Sequence, residues 1–144
     1  MHISQILPSQ FEAIPPFSAL LLVNIHKEFD LTKNEDFDIK IVLEEALTNA
    51  IKHGNQFDPN RCVWVEVSIN GRQLTINVKD EGGGFDTNSI ANPTDEDRLM
   101  KTSVRGVFLI KKLMDEVRFE DQGRKIIMIK KLTNHRRVLW IDGS

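Results

Sequence analysis

Cysteine is nearly missing from this chain: Cys62 is the only one among 144 residues. One thiol excludes an internal disulfide and a cysteine-rich metal site, and it suits a reducing compartment. An excess of charge is missing too. Nineteen Lys and Arg against 21 Asp and Glu leave a formal net charge of -2, so no positive field draws in a nucleic-acid backbone. Long apolar runs are also absent, since no stretch approaches the roughly 18 residues a membrane span needs, and Met1-His2-Ile3-Ser4-Gln5 has no charged leader before an apolar segment. These absences predict a cytoplasmic protein without direct nucleic-acid or membrane partners. What is present, 40% hydrophobic and 28% charged residues, is ordinary for a globular chain, and the length predicts a single domain over 1–144.

Residues 8–16, with three prolines, read as a connection. Residues 18–29 are apolar enough to form a helix packed on a sheet, with Ser18 as N-cap. Across 37–53, Ile39, Leu43, Ala46, Leu47 and Ala50 gather on one side of a helix at about 100° per residue. Glu45, Asn49 and His53 form a polar stripe on the same helix, and Gly54 ends it. Strands are expected at 62–69 and 73–78, where apolar residues alternate, joined at Asn70-Gly71 by a type I′ turn. The second strand runs into Asp80-Glu81-Gly82-Gly83-Gly84. Residues 86–104 are polar, too long for an idle connection, and expected to be a lid. A helix over 105–114 with Val107, Ile110, Leu113 and Met114 inward, and a hairpin of 117–120 and 125–132, complete the chain. The sum is an α+β fold, a two-layer sandwich with a mixed or antiparallel sheet and helices on one face.

Three polar clusters outline a nucleotide site. A carboxylate at a strand end, Asp80, can accept a hydrogen bond from an adenine amine, and Gly82 and Gly84 let the backbone approach the base. A helix opened by Arg105-Gly106 would turn unpaired amides and a positive dipole end toward phosphates. The amide oxygen of Asn49 suits Mg2+, and Glu45, one turn away, can take the proton of an incoming hydroxyl. Lys52 is a surface lysine within reach of phosphate. Each feature alone has an ordinary structural reading: a solvated helix face, a glycine turn, a surface lysine, and packing for His53, Cys62 and Trp64. Their joint order and spacing favour the site.

The segment Glu44-Glu45-Ala46-Leu47-Thr48-Asn49-Ala50-Ile51-Lys52-His53-Gly54 resembles the N-box of the GHKL (Bergerat-fold) superfamily, and Asp80-Glu81-Gly82-Gly83-Gly84 resembles its D-x-G-x-G box. Pro93-Thr94-Asp95-Glu96-Asp97-Arg98-Leu99 and Arg105-Gly106-Val107-Phe108-Leu109-Ile110 are most similar to the small anti-sigma serine-protein kinases of the SpoIIAB and RsbW type. The resemblance covers roughly residues 10–132. It implies an ATP lid, Asn49 as Mg2+ ligand, Glu45 as catalytic base and Asp80 as the adenine acceptor. It further implies ATP and Mg2+ as cofactors, a homodimer, phosphorylation of a serine on a STAS-type antagonist, and capture of a sigma factor in transcription regulation. The family's second glycine box is usually G-x-G, whereas Val104-Arg105-Gly106 supplies only its second glycine. Val104 is therefore expected to restrict the lid hinge and slow turnover more than binding. Residues 133–144 extend beyond the usual family end, as an edge strand, a partner contact or a covering tail. Two other readings compete: a non-catalytic ATP-binding module that sequesters a partner, and the ATP-binding domain of a histidine kinase. The second would need a phosphorylatable histidine in a helix pair before the N-box, and only His2 and His26 precede it.

Overall fold

Alternating β-branched residues between positions 62 and 79 build the centre of the fold. β2 (Cys62–Asn70) and β3 (Gln73–Lys79) pair antiparallel, and Val63, Val65, Val67, Ile69, Leu74, Ile76 and Val78 are all buried, because successive side chains on a strand point to opposite faces. The hairpin turn differs from the one expected. Asn70 pairs with Gln73, so the loop is Gly71-Arg72, with a positive φ of 64° at Gly71 and none at Arg72. Positive φ at the first central residue alone is the type II′ pattern. Asn70 stays in the strand.

This computed structural model describes residues 1–84 and 102–133, the first three residues of the second stretch by backbone only. Beside β3 lies β5 (Lys125–Lys131), and outside it β4 (Glu116–Glu120). Asp121–Gly123 form a short 3-10 turn between them. On the other edge, β1 (His2–Pro8) pairs with β2. Sequence pattern does not mark this strand, since of its seven residues only Leu7 is buried. The order is β1-β2-β3-β5-β4, and every pairing is antiparallel.

α1 (Ile14–Glu28) begins four residues before the expected start. Pro15 and Pro16 occupy its first turn, where a missing N–H costs no helical hydrogen bond. Ser18 is therefore buried within the helix, and Ala13 holds the cap position without a side-chain bond. α2 (Lys33–Thr48) also starts earlier than its apolar period, because Thr32 and Glu35 form a reciprocal capping box. α3 (Thr102–Leu113) starts three residues before the expected 105. Position 104 is thus helical, which shortens the expected lid at its C-terminal end. The rest of that lid, 86–101, and the tail from 134 lie outside the described residues.

Leu21, Ile25, Ile39, Leu43, Leu47 and Ile110 from the helices share one core with the inward strand residues, including Met128. Burying each such side chain stabilises the fold by roughly 1.5–3 kcal/mol. The arrangement is a two-layer α+β sandwich with an antiparallel sheet. Among the described residues no helix is long and apolar enough to cross a membrane.

Candidate functional site

Asp80 comes directly after β3, and its N–H donates to the Arg124 carbonyl at 2.9 Å, extending the β3–β5 pairing by one residue. Its Oδ1 accepts the Gly82 N–H at 2.8 Å. The residue is 9% exposed. Burial pushes the carboxyl above the usual carboxylate range, while the Gly82 amide and the charges of Arg124 and Arg61 pull it down and Asp121 pushes it up again. Burial wins. An acceptor so enclosed at a strand end is well placed to read one donor of a bound base.

The wall facing Asp80 comes from the end of α2. There the helix widens into a π-helical turn, Asn49–Gly54, closed by the Asn55 N–H bonding the Ala50 carbonyl at 2.8 Å. Such wide turns recur at functional sites. This turn brings Gly54 onto Asp80, so that a Cβ there would overlap the carboxyl group. A Cβ on Gly82 would in turn overlap the Gly54 carbonyl. Gly54 therefore does more than end a helix. Gly84 has φ +79° and lies against the Gln122 carbonyl, so two of the three loop glycines are required by close approach and one also by conformation.

A second cluster forms where α3 crosses α2. A Cβ on Gly106 would lie 2.5 Å from Glu45 Oε2 and 3.3 Å from Asn49 Nδ2. A larger residue at 106 would have to displace the Glu45 side chain from this position. Gly106 was expected to open its helix, yet it sits a full turn inside one that starts at Thr102; the unpaired first-turn amides belong to the residues before it. Glu45 is half-buried, and burial together with the charge of Glu44 pushes its carboxyl up. Lys52 is exposed on the π-helical turn beside His53, whose imidazole is pushed down by burial and by the Lys52 charge. Arg105 is exposed on α3. Thus Glu45, Asn49 and Gly106 meet in one cluster, and Asp80, Gly82 and Gly54 in another on the same turn of helix. Lys52 and Arg105 stand at the surface.

Sequence reasoning misses two residues that hold these clusters in place. Asn55 is fully buried. Its Nδ2 donates to Ser9 Oγ at 3.0 Å and the Cys62 carbonyl at 2.9 Å, and its Oδ1 accepts the Glu81 N–H at 2.7 Å. It ties together the end of β1, the start of β2 and the loop after Asp80. Glu81 adds an acceptor for the Cys62 N–H at 2.7 Å. Arg124 is the other, with its Nε donating to the Gly82 carbonyl at 2.6 Å. The only signal for Asn55 is its place just after the N-box glycine. Arg124 follows Gly123 in a turn, which by itself suggests nothing.

Comparison with known proteins agrees with this geometry. Residues 7–130 match the family described as the histidine kinase-like ATPase domain, a span from the end of β1 to β5. The chain is 30% identical over 142 residues to the anti-sigma F factor of Anoxybacillus flavithermus, with 94% of each chain covered. It is 34% identical over 111 residues to the anti-sigma F factor of Clostridium perfringens, covering 73% of this chain and 79% of the relative. Against the serine-protein kinase RsbW of Listeria innocua the identity is 31% over 100 residues, 65% of this chain and 64% of the relative. A match across both polar clusters, on the sheet and helices that carry them, means that this chain belongs to the histidine kinase-like ATPase domain family.

Proposed function

We propose that this chain, as a single domain over 1–144, is an ATP-dependent serine-protein kinase that acts as an anti-sigma factor. It would work as a cytoplasmic homodimer that phosphorylates a STAS-type antagonist and holds a sigma factor until unphosphorylated antagonist releases it. The observation that carries the enzymatic part is the seat of Gly106, where Glu45 from α2 and Asn49 from the π-helical turn after it meet α3. Asp80, with Gly82 and Gly84, accepts the adenine amine at one end of the π-helical turn. At the other end the Asn49 amide oxygen is a hard donor that fits Mg2+, leaving other positions to phosphate oxygens and water. Mg2+ bound there would neutralise charge on the phosphates. Lys52 and Arg105, both exposed, are the cations available to the phosphate chain.

Glu45 takes the proton from the serine hydroxyl as its oxygen bonds to the γ-phosphorus and the bond from that phosphorus to the β-phosphate oxygen breaks, releasing ADP. A carboxyl raised by burial holds that proton better than an exposed one, as a general base near neutral pH requires. The names of the relatives, anti-sigma F factor and serine-protein kinase, support the choice of client and acceptor.

The test compares wild type, Glu45→Ala and Asn49→Ala for ADP binding and for transfer of labelled phosphate to an antagonist serine. Glu45→Ala should keep its nucleotide and lose at least about 100-fold in transfer, since a base acts in the transition state. Asn49→Ala should lose the Mg2+-dependent part of binding. Transfer at the wild-type rate by Glu45→Ala would remove the base assignment. A wild type that binds ATP and client but transfers nothing would point to the non-catalytic module.

A further inference from the structure

We propose that Arg124 is a positioning residue for the base-binding end of the site: its guanidinium ties the glycine loop after β3 to the β4–β5 turn and so sets where Asp80 presents its carboxylate. This rests on the reading of Asp80 as the adenine acceptor.

Arg124 holds both sides of Asp80. Its backbone carbonyl accepts the Asp80 N–H at 2.9 Å. Its side chain holds the residue whose amide bonds the Asp80 carboxylate, with Nε donating to the Gly82 carbonyl at 2.6 Å and Nη2 to the Gly83 carbonyl at 3.4 Å. Three consecutive glycines have more backbone freedom than any other tripeptide, and a fixed pair of donors removes much of it. The remaining face of the guanidinium is occupied by the turn it comes from. Nη1 donates to the Asp121 carbonyl and to Gln122 Oε1, each at 3.2 Å, and reaches Asp121 Oδ1 at 3.5 Å.

That turn has an unusual backbone. Asp121 and Gln122 have φ of 53° and 56°, left-handed values that non-glycine residues adopt at a cost, and they precede Gly123 at 85°. The conformation puts the Gln122 carbonyl against Gly84 and the Asp121 and Gln122 acceptors on Arg124. A fork with separate Nε, Nη1 and Nη2 donors serves this geometry better than a lysine ammonium, because carbonyls from two segments are met at once by different nitrogens.

Calorimetric titration of ADP and of adenosine into wild type, Arg124→Ala, Arg124→Lys, Arg124→Gln and Asp80→Asn, with a thermal melt of each, tests the proposal. Arg124→Ala should weaken ADP and adenosine by the same factor of about tenfold, the scale of one lost charge-assisted hydrogen bond. Arg124→Lys and Arg124→Gln, each keeping a donor, should fall between and report the trend even where Arg124→Ala does not fold. Loss of ADP affinity with adenosine unchanged would overturn the proposal in favour of a phosphate contact. Lower melting temperatures with wild-type affinity across the series would overturn it in favour of a purely structural role. If Asp80→Asn is weak while all Arg124 variants bind normally, only this proposal fails. If wild type binds neither ligand, the nucleotide reading fails and takes it along.

Discussion

Asp80, the proposed adenine acceptor, works against the fold that carries it. Its carboxyl is buried with one amide donor, and burial outweighs the nearby positive charges, so the folded protein holds this proton to a higher pH than the unfolded chain does. Between the ordinary carboxylate value and the raised one, the native state binds more protons, and stability falls as pH rises through that window. Asp80→Asn keeps an oxygen for the Gly82 amide and removes the buried charge. Without nucleotide, Asp80→Asn is expected to melt higher than wild type at pH 7, with the gap closing as pH falls below the ordinary carboxylate range. Its affinity for ADP should drop sharply, because the adenine amine loses its anionic acceptor. Melting curves from about pH 3 to about pH 8, a span that brackets the window, check the first part; a variant no more stable than wild type at neutral pH would reject it.

Among the elements, α2 carries Glu45, the proposed base, and its start is tied to residues on either side of it in the chain. At its start Glu35 Oε1 accepts the Thr32 N–H at 2.9 Å and the Thr32 hydroxyl accepts the Glu35 N–H at 3.0 Å. The second oxygen, Oε2, accepts the Thr133 N–H at 2.8 Å and its hydroxyl at 3.2 Å, joining the helix to the chain just past β5. Burial pushes the Glu35 carboxyl up, but the bonds from Thr32 and Thr133 prevail and hold it below its usual value. The stability it contributes is complete above the ordinary carboxylate range and is lost as pH falls through the lowered value. Thr32→Ala should cost about 1 kcal/mol, the usual worth of an N-cap. Glu35→Gln should also destabilise at pH 7, with a difference from wild type that shrinks toward acid pH. Urea unfolding at pH 7 and at about pH 3, below the ordinary carboxylate range, measures both; a Glu35→Gln deficit that is unchanged at the lower pH would show that the charge is not involved.

For the whole molecule, the layers divide the labour. The helices cover one face of the sheet, and the turn that ends α2 brings Gly54 against Asp80 just after β3. On the opposite face Trp64 is 40% exposed and stands opposite Ile6, which is 58% exposed. Nearby, a shallow hollow of about 330 Å³ is lined by Ser4, Trp64, Val65, Glu66, Asn77, Lys79 and Lys125. Part of the proposed function is that two copies of the 16.5 kDa chain associate. Light scattering at tens of micromolar should therefore give about twice that mass, about the regime in which specific dimers with ordinary interfaces form. A single-chain mass at that concentration would remove the homodimer from the proposal, while the nucleotide site within each chain would stand.

The amino-acid sequence by itself determined the elements whose burial is periodic. The β2–β3 strands and the inward face of α2 and the turn that continues it follow from alternation and from the spacing of Ile39, Leu43, Ala46, Leu47 and Ala50, all buried, because a local period records directly which face meets the core. The N-box and glycine-box residues were legible for a similar reason, as residue types at fixed spacing. The starts of α1 and α2 lie outside their apolar periods but are still local in origin, at a proline pair and a capping box. Tertiary structure decided the rest. β1 has little pattern of its own and exists through its ladder with β2. Gly54 against Asp80, Gly106 against Glu45 and Asn49, and Arg124 on Gly82 join positions between 26 and 61 residues apart in chain order. No local period encodes such contacts, since hydrogen bonds and close approaches depend on which distant backbone the core brings alongside.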